Sequence, residues 1–469
     1  MVSSTVKGTA VIPASPPIPK AAGYLPLLGH AVPLMRDNLG FIASLRSYGP
    51  LVEIQLQPGQ STIVVNDPAL IHTLLVDVAA TLDKGRFFEK MGQLLGDSVV
   101  TAAGAVHVRK RRQLQPAFRR PEVARYVDLM RDQATATMTA WQPGQTLDVR
   151  ETMVKMSLDM LSATVFSGSI KEQAFYELRQ NLSVVMNGVG ARIMMPDWIE
   201  KLPLPANWRF TAARDAVRAT IHTAVDELRT ADQDTGDMLS LLLQATDEET
   251  GRPLTADQIC SEILTLAVAG TETTASVLSW ALYELARHPD IDARIQAELA
   301  TVLGDRPVTF NDLGQLPYLR AVITETLRLH HTGWLVTRRT LQPTRLGAWE
   351  LPAGTELAYC QHALHRDPAH FPDPLVFNPD RWLHEDQQPL SEGAFLPFGA
   401  GKHKCIGDRF AQAEITTALA TLTQAWRLEL APGQRIRPVA RATVRPSSLQ
   451  MTAHPRAHAP LHASSATSD

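Results

Sequence analysis

The chain has 469 residues, 45% of them apolar and 20% charged, with a formal net charge of −3. This is a globular profile with chain enough for a large core. It excludes a fibrous protein and argues against nucleic-acid binding by bulk charge. Three widely spaced cysteines, Cys260, Cys360 and Cys405, exclude a disulfide framework or a four-cysteine zinc site and fit a reducing cytoplasm.

In chain order, residues 1–20 end in Ile12-Pro13-Ala14-Ser15-Pro16-Pro17-Ile18-Pro19-Lys20, an extended or disordered arm. No stretch approaches the ~18 apolar residues of a membrane span, and no cationic start or cleavage site marks a signal peptide. A cytoplasmic protein without a membrane anchor is expected. Residues 21–453 show no linker and no repeat and read as a single large domain, mainly α with small β-sheets. Val52, Ile54 and Leu56 alternate with polar residues before Pro58-Gly59 and Thr62–Val65, a hairpin pattern. A second hairpin is expected from Leu346–Leu351 and Thr355–Tyr359, turned at Pro352-Ala353-Gly354. Thr255 and Gln258 have capping-box spacing and open a long helix that runs to His288 before Pro289. At about 50 Å it crosses the whole domain, and its apolar middle marks it as buried. A second helix starts at Pro317 and reaches about His330. Residues 454–469, rich in Ala, His, Ser and Pro, read as a disordered tail.

The sharpest segment is Phe398-Gly399-Ala400-Gly401-Lys402-His403-Lys404-Cys405-Ile406-Gly407. Its glycines let a tight loop pass close to a flat object. Its cysteine stands before an apolar-periodic helix, Arg409–Leu422, where a helix N-terminus and flanking cations favour thiolate over thiol. Such a thiolate is a strong axial ligand for haem iron. Taken alone, Cys405 reads as a buried structural cysteine after a Gly-rich turn. The spacing to Phe398, Gly401 and Gly407 moves the reading to a ligand.

This segment resembles the cysteine loop of the cytochrome P-450 family, and further signatures follow in family order from His107 to Gly407. The resemblance implies the cytochrome P-450 fold, with haem b held between the long central helix and the helix after the cysteine loop. Cys405 is then the metal ligand, with Phe398, Gly399, Gly407 and Ala269 against the cofactor. Glu325 and Arg328 share a helix face, by themselves an ordinary i,i+3 pair. With Arg381, in Phe377-Asn378-Pro379-Asp380-Arg381-Trp382, they match the family's buried charge network that supports the haem. Ala269-Gly270-Thr271-Glu272-Thr273-Thr274 reads either as a helix-packing notch or as the family's kinked oxygen-binding groove. In the second reading Thr273 hydrogen-bonds dioxygen and Glu272 feeds protons through water. His107, Arg111 and His403 match propionate partners, and Arg338 is a fourth, its register open because Arg339 is adjacent. Arg109, Lys110, Arg112, Lys402 and Lys404 form either a solvated basic face or a patch that steers an acidic redox partner.

Substrate contacts by family position are Phe87, Phe88, Met91, Leu266, Ala269, Trp334, Leu335 and Val336, then Ser448 and Leu449. Each also reads as ordinary core. Nearly all are apolar or small, which suits an apolar ligand. His330–Trp334 departs from the proline usual there, leaving pocket shape at that strand open. The resulting expectation is a haem-thiolate monooxygenase using dioxygen. Electrons come from a separate ferredoxin or flavodoxin with an NAD(P)H-dependent reductase. Leu202–Phe210 and Gly333–Arg339 look like bacterial members that oxidise sesquiterpenes, placing the chain in terpenoid secondary metabolism. The rivals are a fatty-acid or other lipophile hydroxylase and, from another class, a non-catalytic haem-thiolate sensor or carrier. Glu272-Thr273 argues against a peroxide-driven enzyme or an isomerase on the same fold.

Overall fold

The computed structural model describes residues 15–26, 28–57, 60–166, 170, 172–192, 197–231, 236–247, 251–383, 391–441 and 443–456. Nine of its helices carry the argument: α1 (Arg86–Leu95), α2 (Gly104–Leu114), α3 (Arg120–Thr139), α4 (Val149–Phe166), α5 (Glu172–Arg192), α6 (Pro205–Ala231), α7 (Ala256–Arg287), α8 (Pro317–Leu329) and α9 (Asp408–Ala425).

The expected capping box opens α7: Gln258 N donates to Thr255 Oγ1 at 3.2 Å, and Thr255 N donates to Gln258 Oε1 at 2.8 Å. Two orphan amides are thereby satisfied, which lets a helix of 32 residues start cleanly. α7 packs on α4, α6, α8 and α9. On α4, every residue from Met156 to Phe166 is buried, so these helices form the centre of the core rather than its skin.

Leu51–Gln57 pairs antiparallel with Gln60–Val65, as the alternation predicts, while its turn residues 58–59 lie outside the described residues. The second expected hairpin is corrected. Thr344–Leu346 pairs with Trp349–Leu351 around Gly347, whose φ of +59° turns the chain there. Glu356–Tyr359 instead joins the main five-stranded sheet, between Gln60–Val65 and Val336–Thr340. The tail boundary also moves. Strand Gln450–Pro455 pairs with Trp426–Leu430, and Arg456 binds Asp292 through two contacts of 2.7 Å. The ion pair fastens the end of this strand. The arm's last residues lie along the sheet, with Glu53 N bonded to Pro19 O at 2.8 Å.

Glu325 and Arg328 are both fully buried. Arg328 grips Glu325 with two bonds of 2.8 and 2.7 Å. Its remaining donors reach the carbonyls of His365, Pro374 and Val376. Glu325 also accepts from Trp382 Nε1 at 2.9 Å and Asn378 N at 3.0 Å, with Arg381 Nε 3.4 Å away as an ion pair outside hydrogen-bond geometry. The charge is divided among several donors, which is what makes its burial tolerable. Glu325→Gln leaves two guanidinium groups short of their anion. It should lower the unfolding free energy by ~3–5 kcal/mol, measured by urea unfolding of the cofactor-loaded protein. An unchanged midpoint would remove this network from the supports of the fold.

Candidate functional site

Cys405 is accessible, whereas Cys260 and Cys360 are buried, their thiols pushed up to about 12 by that burial. Cys405 is nonetheless ringed by protein, as a group facing an internal cavity is. Burial raises its thiol pKa and Asp408 adds to this, against the Gly407 amide, Arg111 and Lys404. The cations alone therefore do not make the thiolate expected from the sequence. A metal cation bound at the sulfur would supply the missing charge. The loop is held by Cys405 N donating to Phe398 O at 2.9 Å. Gly401 is obligatory, since its φ is +64° and a Cβ there would sit 2.0 Å from Leu75 O. A Cβ on Gly407 would meet Phe118 at 3.7 Å and Cys405 Sγ at 4.0 Å, ordinary contacts beside the sulfur.

α7 is buried on both sides of its middle, but Val268, Ala269, Gly270, Glu272 and Thr273 are half-exposed. Such a window in a core helix borders internal space. The helix is unbroken through this segment rather than kinked. Thr273 Oγ1 bonds back to Ala269 O at 2.8 Å and lies 3.3 Å from Gly270 O. A Cβ on Gly270 would find only ordinary contact, Leu161 at 3.7 Å, so protein packing does not require the glycine. Glu272 faces Arg445 at 3.9 Å.

Basic groups converge beside the cysteine loop. The rings of His107 and His403 lie 4.5 Å apart between centres, tilted at 51°. Both ring nitrogens of His403 are buried and lack a hydrogen-bond partner among the described residues. Burial, then Arg338, His107, Lys84 and Lys402, hold its pKa down to about 2. His107 lies against Val99 O at 2.8 Å and Lys402 O at 3.1 Å, and Arg111 donates to Lys404 O at 2.6 Å. Strand alternation separates the two candidate arginines. Arg339 pairs with Asp83 at 2.8 Å, with Glu89 and with Glu356. Arg338 is buried with one hydrogen bond, to its neighbour's carbonyl.

Lys84 escaped sequence reasoning. It is 5% exposed, bonded to Val99 O and Val100 O at 2.7 Å each, and 3.2 Å from His107. Burial and Arg338 lower it to about 7. A lone lysine before a glycine carries no signal of this. Lys110 is corrected: it is buried against Glu262 at 3.2 Å and Asp97 O at 3.0 Å, so it leaves the proposed basic surface. Of the others, Arg109 pairs with Asp247 and Lys404 with Asp408.

Among the substrate candidates, Phe88, Met91 and Leu266 belong to the main core cluster, and Phe87 meets Phe88 edge to face at 5.2 Å. Leu449 is buried in that cluster, and Ser448 is exposed. Trp334 is corrected from pocket wall to sheet core: it packs with Ile42, Val52 and Ile54, and its indole N–H bonds Arg441 O at 2.6 Å. Leu335 and Val336 stay half-buried against the sheet's own clusters.

A sequence model of the family described as Cytochrome P450 matches residues 16–453. The chain belongs to the cytochrome P450 family. It is 41% identical over 437 residues to cyclooctat-9-en-7-ol 5-monooxygenase of Streptomyces melanosporofaciens, covering 93% of this chain and 95% of the relative. It is 35% identical over 424 residues to pentalenene oxygenase of Streptomyces avermitilis, covering 90% and 94%. The crystal structure of the cytochrome P450DA heme domain superposes with a TM-score of 0.83 at 26% identity, covering 94% of this chain and 98% of that one. The cofactor of such a P450 is haem b on a cysteine thiolate, and the activity is that of a monooxygenase.

The residues present fit that cofactor. Cys405 is the accessible thiol. The unpartnered His403 and the buried, carboxylate-free Arg338 form, with Lys84, His107 and Lys402, a basic cluster that two propionates would neutralise.

Glu414, on α9, is a second residue that sequence reasoning missed, although an acid at a core position of an apolar helix was a legible signal. Burial pushes its carboxyl up to about 8, the hydroxyls of Ser157 and Thr274 flank it, and its Oε1 has no partner among the described residues. Unfolding returns the group to about 4.5. Between these values the folded protein holds a proton that the unfolded chain has lost. Its contribution to stability therefore falls as pH rises through that window. Glu414→Gln should match the wild type near pH 5 and exceed it by about 1 kcal/mol or more near pH 8, read from unfolding midpoints. Parallel pH profiles would show that Glu414 is ionised in the folded protein.

Proposed function

We propose that this P450 hydroxylates a terpenoid, a compact hydrocarbon skeleton or its first oxidation product, with Cys405 as the haem ligand and Thr273 and Glu272 handling protons. The observation that carries the reading is the pairing of one accessible cysteine with a half-exposed window in an otherwise buried helix. Cys405 would hold the haem, which would supply the oxygen activation when bound.

The chain's own groups do the rest. His403, Arg338 and Lys84 hold the propionate edge by charge. Thr273, its hydroxyl parked on Ala269 O at 2.8 Å, has a lone pair and a rotatable O–H to offer at the window. Glu272 reaches solvent beside Arg445 and can relay a proton inward through water. Phe87, Phe88, Met91 and Leu266 supply area and exclude water without charge. The relatives' names, a cyclooctatenol monooxygenase and pentalenene oxygenase, support a polyolefin-derived skeleton. Arg109, Arg112, Lys402 and Lys404 remain as a smaller basic face for a ferredoxin or flavodoxin. No helix among the described residues is long and apolar enough to cross a membrane, and we assign the chain to the cytoplasm.

Reduction under carbon monoxide should give the red-shifted Soret band of a thiolate-bound haem, and Cys405→Ala should abolish it while Cys260→Ala and Cys360→Ala keep it. Thr273→Ala should still load haem and consume NAD(P)H with a surrogate redox pair, but most of the flux should leave as hydrogen peroxide. Unchanged coupling to product would end the role given to Thr273.

Terpene hydrocarbons should shift the ferric iron to high spin at micromolar levels, each buried apolar Å² contributing ~25 cal/mol before association costs. Fatty acids of similar size should do so less well, because their carboxylate loses hydration without a partner at Phe87, Phe88, Met91 or Leu266. A panel in which every fatty acid outranks every terpene would sink the terpenoid assignment and leave the monooxygenase intact.

A further inference from the structure

A cavity of about 450 Å³ lies between α1, the end of α5 and the start of α6, a volume typical of small-molecule sites. Its charged lining is Lys90, Arg192, Lys201 and Arg214 against Glu200 alone. Lys90 is paired with Glu200 at 2.5 Å, and Arg214 with Asp215 at 3.3 Å. That leaves a net positive wall centred on Arg192 and Lys201.

Arg192 is built into place. It is 6% exposed, and among the described residues its hydrogen bonds go to neutral oxygens, Gly188 O at 3.0 Å, Ala206 O at 3.0 Å and Asn207 Oδ1 at 2.7 Å, while Glu200 acts on it only through space. The carboxamide of Asn207 is itself fixed by donating to Ile199 O and Leu202 O at 2.9 Å each. The guanidinium stacks 4.1 Å above the Phe210 ring. A Cβ on Gly188 would sit 2.2 Å from that ring and 3.1 Å from Arg192 Nη1, so only glycine permits the stack. A buried cation held rigidly by neutral partners, at the wall of a cavity, is half of a charge-assisted contact.

We propose that this cavity is an anion-binding site, separate from the haem, that takes the carboxylate or phosphate head of an amphiphilic molecule. The head meets Arg192 and Lys201, and the apolar part lies along Leu94 and Phe210. Lys90 sits one residue before Met91, so occupancy would be felt on the helix that carries the substrate contacts. The alternative is that Arg192 only clamps α5 to α6.

The test is calorimetric titration of the haem-loaded protein with inorganic phosphate and, separately, with decanoate, at ionic strength held constant with sodium chloride. Saturable binding of either is expected. Phosphate alone identifies a phosphate head, and decanoate alone a carboxylate amphiphile. The Lys201→Gln/Arg214→Gln double variant should weaken binding at least about tenfold, and phosphate should leave the Soret band unmoved. Absence of saturation for both anions at millimolar concentration, or equal binding by the double variant, would leave Arg192 as a clamp only. Both variant positions lie at the cavity's outer wall, so the answer does not depend on whether Arg192→Gln folds. Because phosphate binding is silent at the iron, failure here is distinguishable from failure of the terpenoid reading.

Discussion

A single buried ion pair sets the position of the reactive thiol. Arg328 holds Glu325 with two bonds and donates to His365 O at 2.9 Å. The His365 ring then accepts from Leu396 N at 2.9 Å, which requires a neutral imidazole. Burial secures this by driving the His365 pKa well below its ordinary value. Two residues on, Phe398 O receives Cys405 N at 2.9 Å. Gln361 adds a second tie to Leu396 O, and His331 a third to Pro397 O. The cysteine is therefore located by a hydrogen-bond chain that begins in α8, and loss of either charge strands the other in a medium that cannot solvate it.

The opposite imbalance rules the basic cluster beside the cysteine loop. The charges of Lys84, Arg111, Arg338 and Lys402 crowd around the neutral rings of His107 and His403, and Glu262, itself raised to about 7 by burial, bonds Lys110 and the Val99 amide and draws on Lys84. Such a cluster is costly without an anion and favourable with one. In the role proposed for them, the same groups would bind the cofactor and would make the loaded protein more stable.

α7 joins these two regions to the chemistry. Its capping box and its buried flanks make it rigid, and its window concentrates the exposed polar atoms of Glu272 and Thr273 at one place. Next in sequence, Thr274 turns into the core toward Glu414 on α9. That neutral carboxyl beside Ser157 puts a polar contact among α4, α7 and α9 where the rest of the packing is apolar. The window and the cysteine loop are thus referenced to the same helix pair.

Much of this was local and hence legible. The Phe398–Gly407 spacing, the Thr255 capping box, the Pro317 start and the Glu325–Arg328 pair depend on residues within a turn or two of each other, and each appears where the sequence put it. What failed was non-local. Periodicity could describe Thr355–Tyr359 as a strand but not choose its partner, because register is settled by which sheet edge lies alongside. Trp334 reads as an apolar wall in sequence, but its indole N–H needed an acceptor, and only the fold brought Arg441 O to it. Lys84 and Lys110 look like surface charges in sequence; their partners are properties of burial, which a string of residues does not contain. By itself the sequence determined the family and the long helix, and it singled out the cysteine loop. The tertiary structure alone decided which cations are free to meet an anion and which are already paired, since pairing depends on distances across segments hundreds of residues apart.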